Sequence, residues 1–159
     1  MRSLLLLLLL SLPLAASDQA QYILFAGGGW DHYADAGQKT ILSGGVATRI
    51  AENVYSWNTV IAKSDGAKLL SGFYGQVYSD KWVSFGVLAQ IGGESTAGDV
   101  SFASAMGGVV QVGIGNWMKF PALKLIGVIN LNKQSNAATQ TTAVKPAIGI
   151  GLAWHSQPK

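Results

Sequence analysis

The chain has no cysteine, which excludes a disulfide framework and a lipid-modified N-terminal cysteine. Its two histidines, His32 and His155, lie near opposite ends of the sequence and make no ligand cluster, so no metal and no cofactor is expected. Charge is scarce. Charged residues make up 12% of the chain, against roughly a quarter for an ordinary soluble domain. Beyond the first seventeen residues long apolar runs are also missing, because Gly, Ser or Gln breaks each one within a few positions. That excludes membrane-spanning helices. A chain that is 49% hydrophobic, poor in charge and without a spanning helix is left with the other membrane solution, a closed β-barrel.

The basic pI of about 9.2 invites a nucleic-acid reading, but the charges are in the wrong places. Lys39, Lys63, Lys68, Lys81, Lys119 and Lys133 stand singly, interleaved with Asp31, Asp35, Asp65, Asp80 and Asp99. Without a basic stripe or a binding motif, no nucleic-acid partner is expected. The glycine groups Gly27–Gly29 and Gly113-Ile114-Gly115 precede no helical pattern and are not phosphate loops.

Residues 1–17 read as an export signal. Arg2 supplies the positive start and Leu4–Leu10 an apolar core too short to span a bilayer. Ala15-Ala16-Ser17 offers small residues at the cleavage positions, placing the cut before Asp18, with a neighbouring site such as Ala16 as the alternative. Residues 18–159 then form one domain. Turn residues punctuate it into eight strands, near 21–30, 39–51, 54–63, 68–78, 82–92, 100–114, 120–132 and 143–155. The fold class is all-β: an eight-stranded antiparallel up-and-down transmembrane β-barrel.

Alternation gives most strands two unlike faces. In the fifth, Val83, Phe85, Val87 and Ile91 oppose Ser84, Gly86 and Gln90. In the sixth, Phe102, Met106, Val110 and Val112 oppose Ala105, Gly107 and Gln111. Leu88, Val109, Ile126 and Val128 break the rule by falling on the polar parity, and the first strand has no clear parity. Arg49, Lys124 and Lys145 share the small-and-polar parity. A cation facing lipid would cost roughly 2–4 kcal/mol at mid-bilayer, so that face turns inward. The expected lumen is plugged and polar, with Glu52 and Glu94 as the nearest acidic partners.

The connections Asp31–Gln38, Ser64–Ala67, Gly93–Asp99 and Lys133–Thr142 read as longer than those near Glu52-Asn53, Ser79–Lys81 and Gly115–Lys119. Short periplasmic turns and longer external loops are usual in such barrels, so both termini are expected to be periplasmic. Tyr55, Trp57, Trp117, Phe120 and Trp154 then gather at the periplasmic rim, and Trp30, Tyr33 and Phe102 at the outer one.

The last strand alternates most strictly, with Ile148, Ile150, Leu152 and Trp154 against Ala147, Gly149, Gly151 and Ala153. It resembles the closing-strand signal of bacterial outer-membrane barrels, with Gly149, Leu152 and Trp154 on the restrictive positions. It departs from that signal at Ala147, where a polar residue is usual, and in the tail His155–Lys159. Over residues 21–154 the chain resembles small eight-stranded barrels of the OmpA or OmpX type. The resemblance implies a bacterial outer-membrane protein, a monomer, with outer-membrane lipids and the barrel-assembly machinery as partners. It carries no functional motif, so no catalytic, cofactor-binding or metal residue is assigned. The expected role is structural, or one of surface interaction through short loops.

Two other readings stand beside it. His32, Ser64 and Asp65 on outer loops resemble the residue types of lipid A palmitoyltransferase barrels, with base, nucleophile and orienting roles. The run His155-Ser156-Gln157 does not match the His-any-Ser-Asn of the lipid A deacylases. A secreted lipocalin- or streptavidin-like barrel would instead turn the apolar parity inward and leave an outside of Gly, Ala and Ser. The leader reading is checked directly: N-terminal sequencing of the exported protein should begin at Asp18.

Overall fold

In the computed structural model, residues 22–33, 37–79, 82–96, 98–114, 122–136 and 141–156 are described. The leader, Trp117 and Phe120 fall outside them, as do the side chains of Asp31–Lys39. The elements are β1 (Tyr22–Tyr33), β2 (Gly37–Ala51), β3 (Val54–Lys63), β4 (Gly66–Ser79), β5 (Val83–Thr96), β6 (Asp99–Gly113), β7 (Leu123–Asn136) and β8 (Thr141–His155). Each pairs antiparallel with the next, and β8 returns to β1 to close the barrel. Leu24 faces Trp154 across that closing seam. Among the described residues no helix is long and apolar enough to cross a membrane.

Pairing fixes the stagger. Following partners once around from Ser84, through Gln111, Gly151 and Ser43, leads back to Glu94, ten residues further along β5. A rise of ~3.3 Å per residue and a strand spacing of ~4.8 Å then set a tilt of about 40°. At that tilt a strand of 12 to 15 residues stands roughly 30–38 Å tall.

The apolar parity faces outward. Leu42, Val87, Ile91, Met106, Ile129, Ile148, Ile150 and Leu152 are all exposed, and such residues occur on every strand. The small-and-polar parity faces the axis. In β1 the inward residues are Ile23, Phe25, Gly27 and Gly29, and the outward ones Leu24, Ala26, Gly28 and Trp30, so the strand without a readable pattern follows the same rule.

Several expectations change. The strands run further than their apolar cores. The Gly93–Asp99 connection shrinks to Ala97-Gly98, because Lys68, Ala67 and Gly66 pair with Glu94, Ser95 and Thr96. Similarly, only 34–36 separate β1 from β2, while 114–122 separate β6 from β7. The longest connection thus lies at the end where the termini are, opposite to the expected pattern, and connection length gives no orientation. Asn53 (φ 61°) and Gly98 (φ 94°) supply the left-handed residues of two-residue hairpins.

Closure depends on glycine at one place. On the luminal side of the β1–β8 seam Gly27 pairs with Gly151, and Gly29 with Gly149. A Cβ on Gly27 would lie 2.6 Å from the Gly151 Cα, so the two strands approach as only bare backbone can. Gly151→Val should destabilise the folded barrel by about 1–3 kcal/mol, read from urea titrations of folding into lipid vesicles. Equal midpoints for variant and parent would sink this account of closure.

Candidate functional site

The lumen is the place where side chains from all eight strands converge, and it has two unlike halves. Toward the terminal end an apolar cluster fills it above the buried Ser84 and Gln111. Ile23, Ala47, Tyr55, Trp57, Tyr74, Leu88, Val109, Ile126 and Ala153 form one buried cluster, with Phe25 and Val128 packed against it. Phe25 stacks on Trp57 with centroids 4.6 Å apart, and Tyr74 meets Trp57 edge-on at 5.2 Å. Such aromatic pairs add about 0.5–1.5 kcal/mol beyond their burial.

This corrects the polar lumen read from sequence. Leu88, Val109, Ile126 and Val128 are the wall of an inner core. Tyr55 and Trp57 belong to that core instead of the rim, with Trp57 only 1% exposed. The cause is β3, whose bulky parity, Tyr55, Trp57 and Ile61, faces inward while Ser56 and Asn58 face out. Trp154, Tyr22, Tyr78, Trp82 and Phe85 remain exposed near the terminal end, and Trp30 and Phe102 near the other.

A polar layer crosses the middle. Gln90 Nε2 donates to the Trp57 carbonyl at 3.2 Å and to Thr59 Oγ1 at 3.0 Å. Beside it lies a cavity of about 60 Å³, lined by residues including Phe25, Trp57, Thr59, Leu88 and Ile126. It has room for a few waters.

The far half carries a buried charge cluster. Glu94 Oε1 pairs with Lys63, and Glu94 Oε2 lies 3.2 Å from Lys68 Nζ. Thr96 Oγ1 donates to Glu94 Oε1 at 3.3 Å. All three charged side chains are at most 2% exposed. Glu94 was expected to answer Arg49, Lys124 or Lys145, but the stagger carries it to the opposite end from Arg49 and Lys124. Arg49 Nε instead donates to the Ala51 carbonyl at 3.3 Å, and Glu52 is an exposed turn residue.

The candidate catalytic residues do not assemble into a described constellation. His32 lies within β1, paired in register with Gln38, and its side chain is outside the described residues. Ser64 is exposed in the two-residue β3–β4 turn, and Asp65 is half-buried beside it. His155 Nε2 lies 2.6 Å from Gln111 Oε1 on the luminal side, a more enclosed place than the rim expected for it. The described residues contain no group of three His, Asp or Glu side chains that could hold a metal ion.

On the outer wall one region differs from the rest. Asn58, the fifth of ten residues in β3, faces outward at mid-height. Ser71 Oγ donates to its Oδ1 at 2.6 Å, and its Nδ2 reaches Ser56 Oγ at 3.5 Å. Its neighbours at that height include Gly44 and Ala26. The sequence carried a signal for this patch, the inverted parity of β3.

No protein-family profile matches the chain, and no curated protein matches it in sequence. Its fold is similar to that of solved de novo designed transmembrane β-barrels. One aligns with TM-score 0.57 and 13% identity over 86% of this chain and 95% of its own. Another, the de novo designed TMB2.3 solved by solution NMR, aligns with TM-score 0.54 and 15% identity over 87% and 96%. At these identities the likeness shows the fold: an all-β closed barrel of eight antiparallel strands.

Glu94 holds two buried cations, so removing its charge should be costly. Glu94→Gln is expected to destabilise the barrel by about 3–5 kcal/mol in urea titrations, whereas neutralising Glu94, Lys63 and Lys68 together should recover much of the loss. A neutral single variant would mean that the cluster is solvated.

Proposed function

We propose that this chain is an integral outer-membrane β-barrel protein of a bacterium, exported by its N-terminal leader and acting without catalysis, as a structural or surface-interaction element. The observation that carries the reading is the outer wall. Apolar side chains are exposed on all eight strands, while the buried Lys63, Lys68 and Glu94 lie inside. Such a surface would aggregate in water but is matched by lipid. A height of roughly 30–38 Å suits a hydrocarbon layer of about 30 Å with its interfaces.

The packed lumen supports a plugged barrel over a conducting pore. It also supports the non-enzymatic reading, although on a different ground from polarity. Its terminal half is filled by the packed side chains of Phe25, Trp57, Tyr74, Leu88 and Ile126. Outer-membrane lipids are the proposed surroundings, and the barrel-assembly machinery, engaging β8, the proposed insertion partner.

The expected behaviour is recovery in the detergent-extracted membrane fraction, with a heat-dependent shift in gel mobility. Ile129→Lys, at an outward position 63% exposed, should weaken folding into vesicles by roughly 2–4 kcal/mol. Aqueous recovery without detergent, together with an indifferent Ile129→Lys, would favour a soluble barrel instead.

A further inference from the structure

We propose that the cavity at mid-lumen is a closed hydration site, in which a few waters bind to Gln90, Thr59 and Ser43. The proposal concerns the inside of the barrel and goes beyond the role proposed for its outer wall.

Three observations converge. First, the cavity lies between two apolar clusters. Phe25, Trp57, Leu88 and Ile126 line it toward the terminal end. Ile41 and Ile61, from a second buried cluster with Leu70, Ala103 and Ala105, line it toward the far end. Second, a buried acceptor faces it with capacity to spare. Gln90 is 4% exposed and lines the cavity. Its hydrogen bonds, to the Trp57 carbonyl and to Thr59 Oγ1, both leave from Nε2. Its Oε1 therefore keeps its acceptor positions, and Thr59 Oγ1, already accepting, keeps an O–H to donate. Buried polar groups nearly always find a partner, and ordered water is the usual one where protein supplies none. Third, the wall behind the cavity is bare. Gly27, Gly149 and Gly151 carry no side chain into it. A Cβ on Gly27 or Gly151 would strike the opposite strand, but one on Gly149 would meet nothing closer than the Gly28 carbonyl at 3.8 Å. Space is therefore left on that side of the lumen.

The choice of water follows from the chemistry of the wall. The occupant has to donate to Gln90 Oε1 and accept from the Thr59 hydroxyl, which a hydrocarbon cannot do. The Ser43 hydroxyl, on the same wall, both donates and accepts. A cavity with several polar partners holds water, whereas a purely apolar one stays dry. Because packed clusters bound it at either end, the waters leave only when one cluster opens, and they stay far longer than water at a surface.

Magnetic resonance of the full-length protein, methyl-labelled and folded in detergent micelles, tests this. Water should give cross-peaks to the methyl groups of Leu88, Ile126 and Val128, all of which line the cavity. Their signs should be opposite in laboratory-frame and rotating-frame Overhauser spectra, the mark of a long-lived contact. Gly149→Val, which fills the open side, should cut these cross-peaks about five-fold with the heat-dependent gel shift retained. Gln90→Leu, which removes the acceptor, should weaken them too, and Ile150→Val, on the outer face of the same strand, should leave them unchanged. Dry methyl groups, cross-peaks to detergent chains in place of water, or equal signs in the two spectra would overturn the proposal. So would cross-peaks equally strong at the outward Ile129, or no response to either Gly149→Val or Gln90→Leu.

Discussion

Every strand in this barrel finds both hydrogen-bonding partners, and that depends on β8 reaching β1. In a hydrocarbon environment an unpaired backbone edge costs several kcal/mol per group, so an open eight-stranded sheet would have no stable place there. The seam runs from Ile23↔His155 to Asp31↔Ala147. Gly27, Gly29 and Gly151 let it form, since inward side chains at those positions would collide with the opposite backbone. Closure also fixes the ten-residue stagger, which determines which inward residues share a level.

That stagger explains the two halves of the lumen. It gathers Tyr55, Trp57, Tyr74, Leu88, Val109 and Ile126 at one end, where they pack as an ordinary core. At the other it brings Lys63 and Lys68 onto the two oxygens of Glu94. The barrel is therefore not simply inside-out. It holds apolar clusters inside its wall in both halves, the second made of Ile41, Ile61, Leu70, Ala103 and Ala105 beside the buried Lys63, Lys68 and Glu94. Ionic groups enclosed this way add little net stability over apolar ones, but removing one partner leaves the others stranded. The cluster depends on the local β3–β4–β5 register, in which Lys68 pairs directly with Glu94.

Much of the fold was legible because alternation is a local signal. β5, β6 and β8 display it over whole strands, and the bulk of Ile148, Ile150 and Leu152 reads directly as the outward face. β3 was harder. Tyr55, Trp57 and Ile61 are as bulky as an outward face, and alternation alone does not say which side of the sheet is which. The far-end loops were also misjudged. Gly93, Glu94 and Ser95 have turn-like composition, yet they continue the ladder because their partners on β4 are already held in place.

The sequence by itself determined an all-β chain of eight strands, with two-faced walls, a greasy outer girdle and a closing strand ending in Trp154. These follow from side-chain periodicity and turn chemistry, which act over a few residues. The tertiary structure alone decided the contents of the lumen, the partners of Glu94, the inversion of β3 and the mid-height position of Asn58. Each depends on which residues meet once the strands pair and tilt, and Lys63 and Glu94, on β3 and β5, meet on the inner face of the wall with β4 between them.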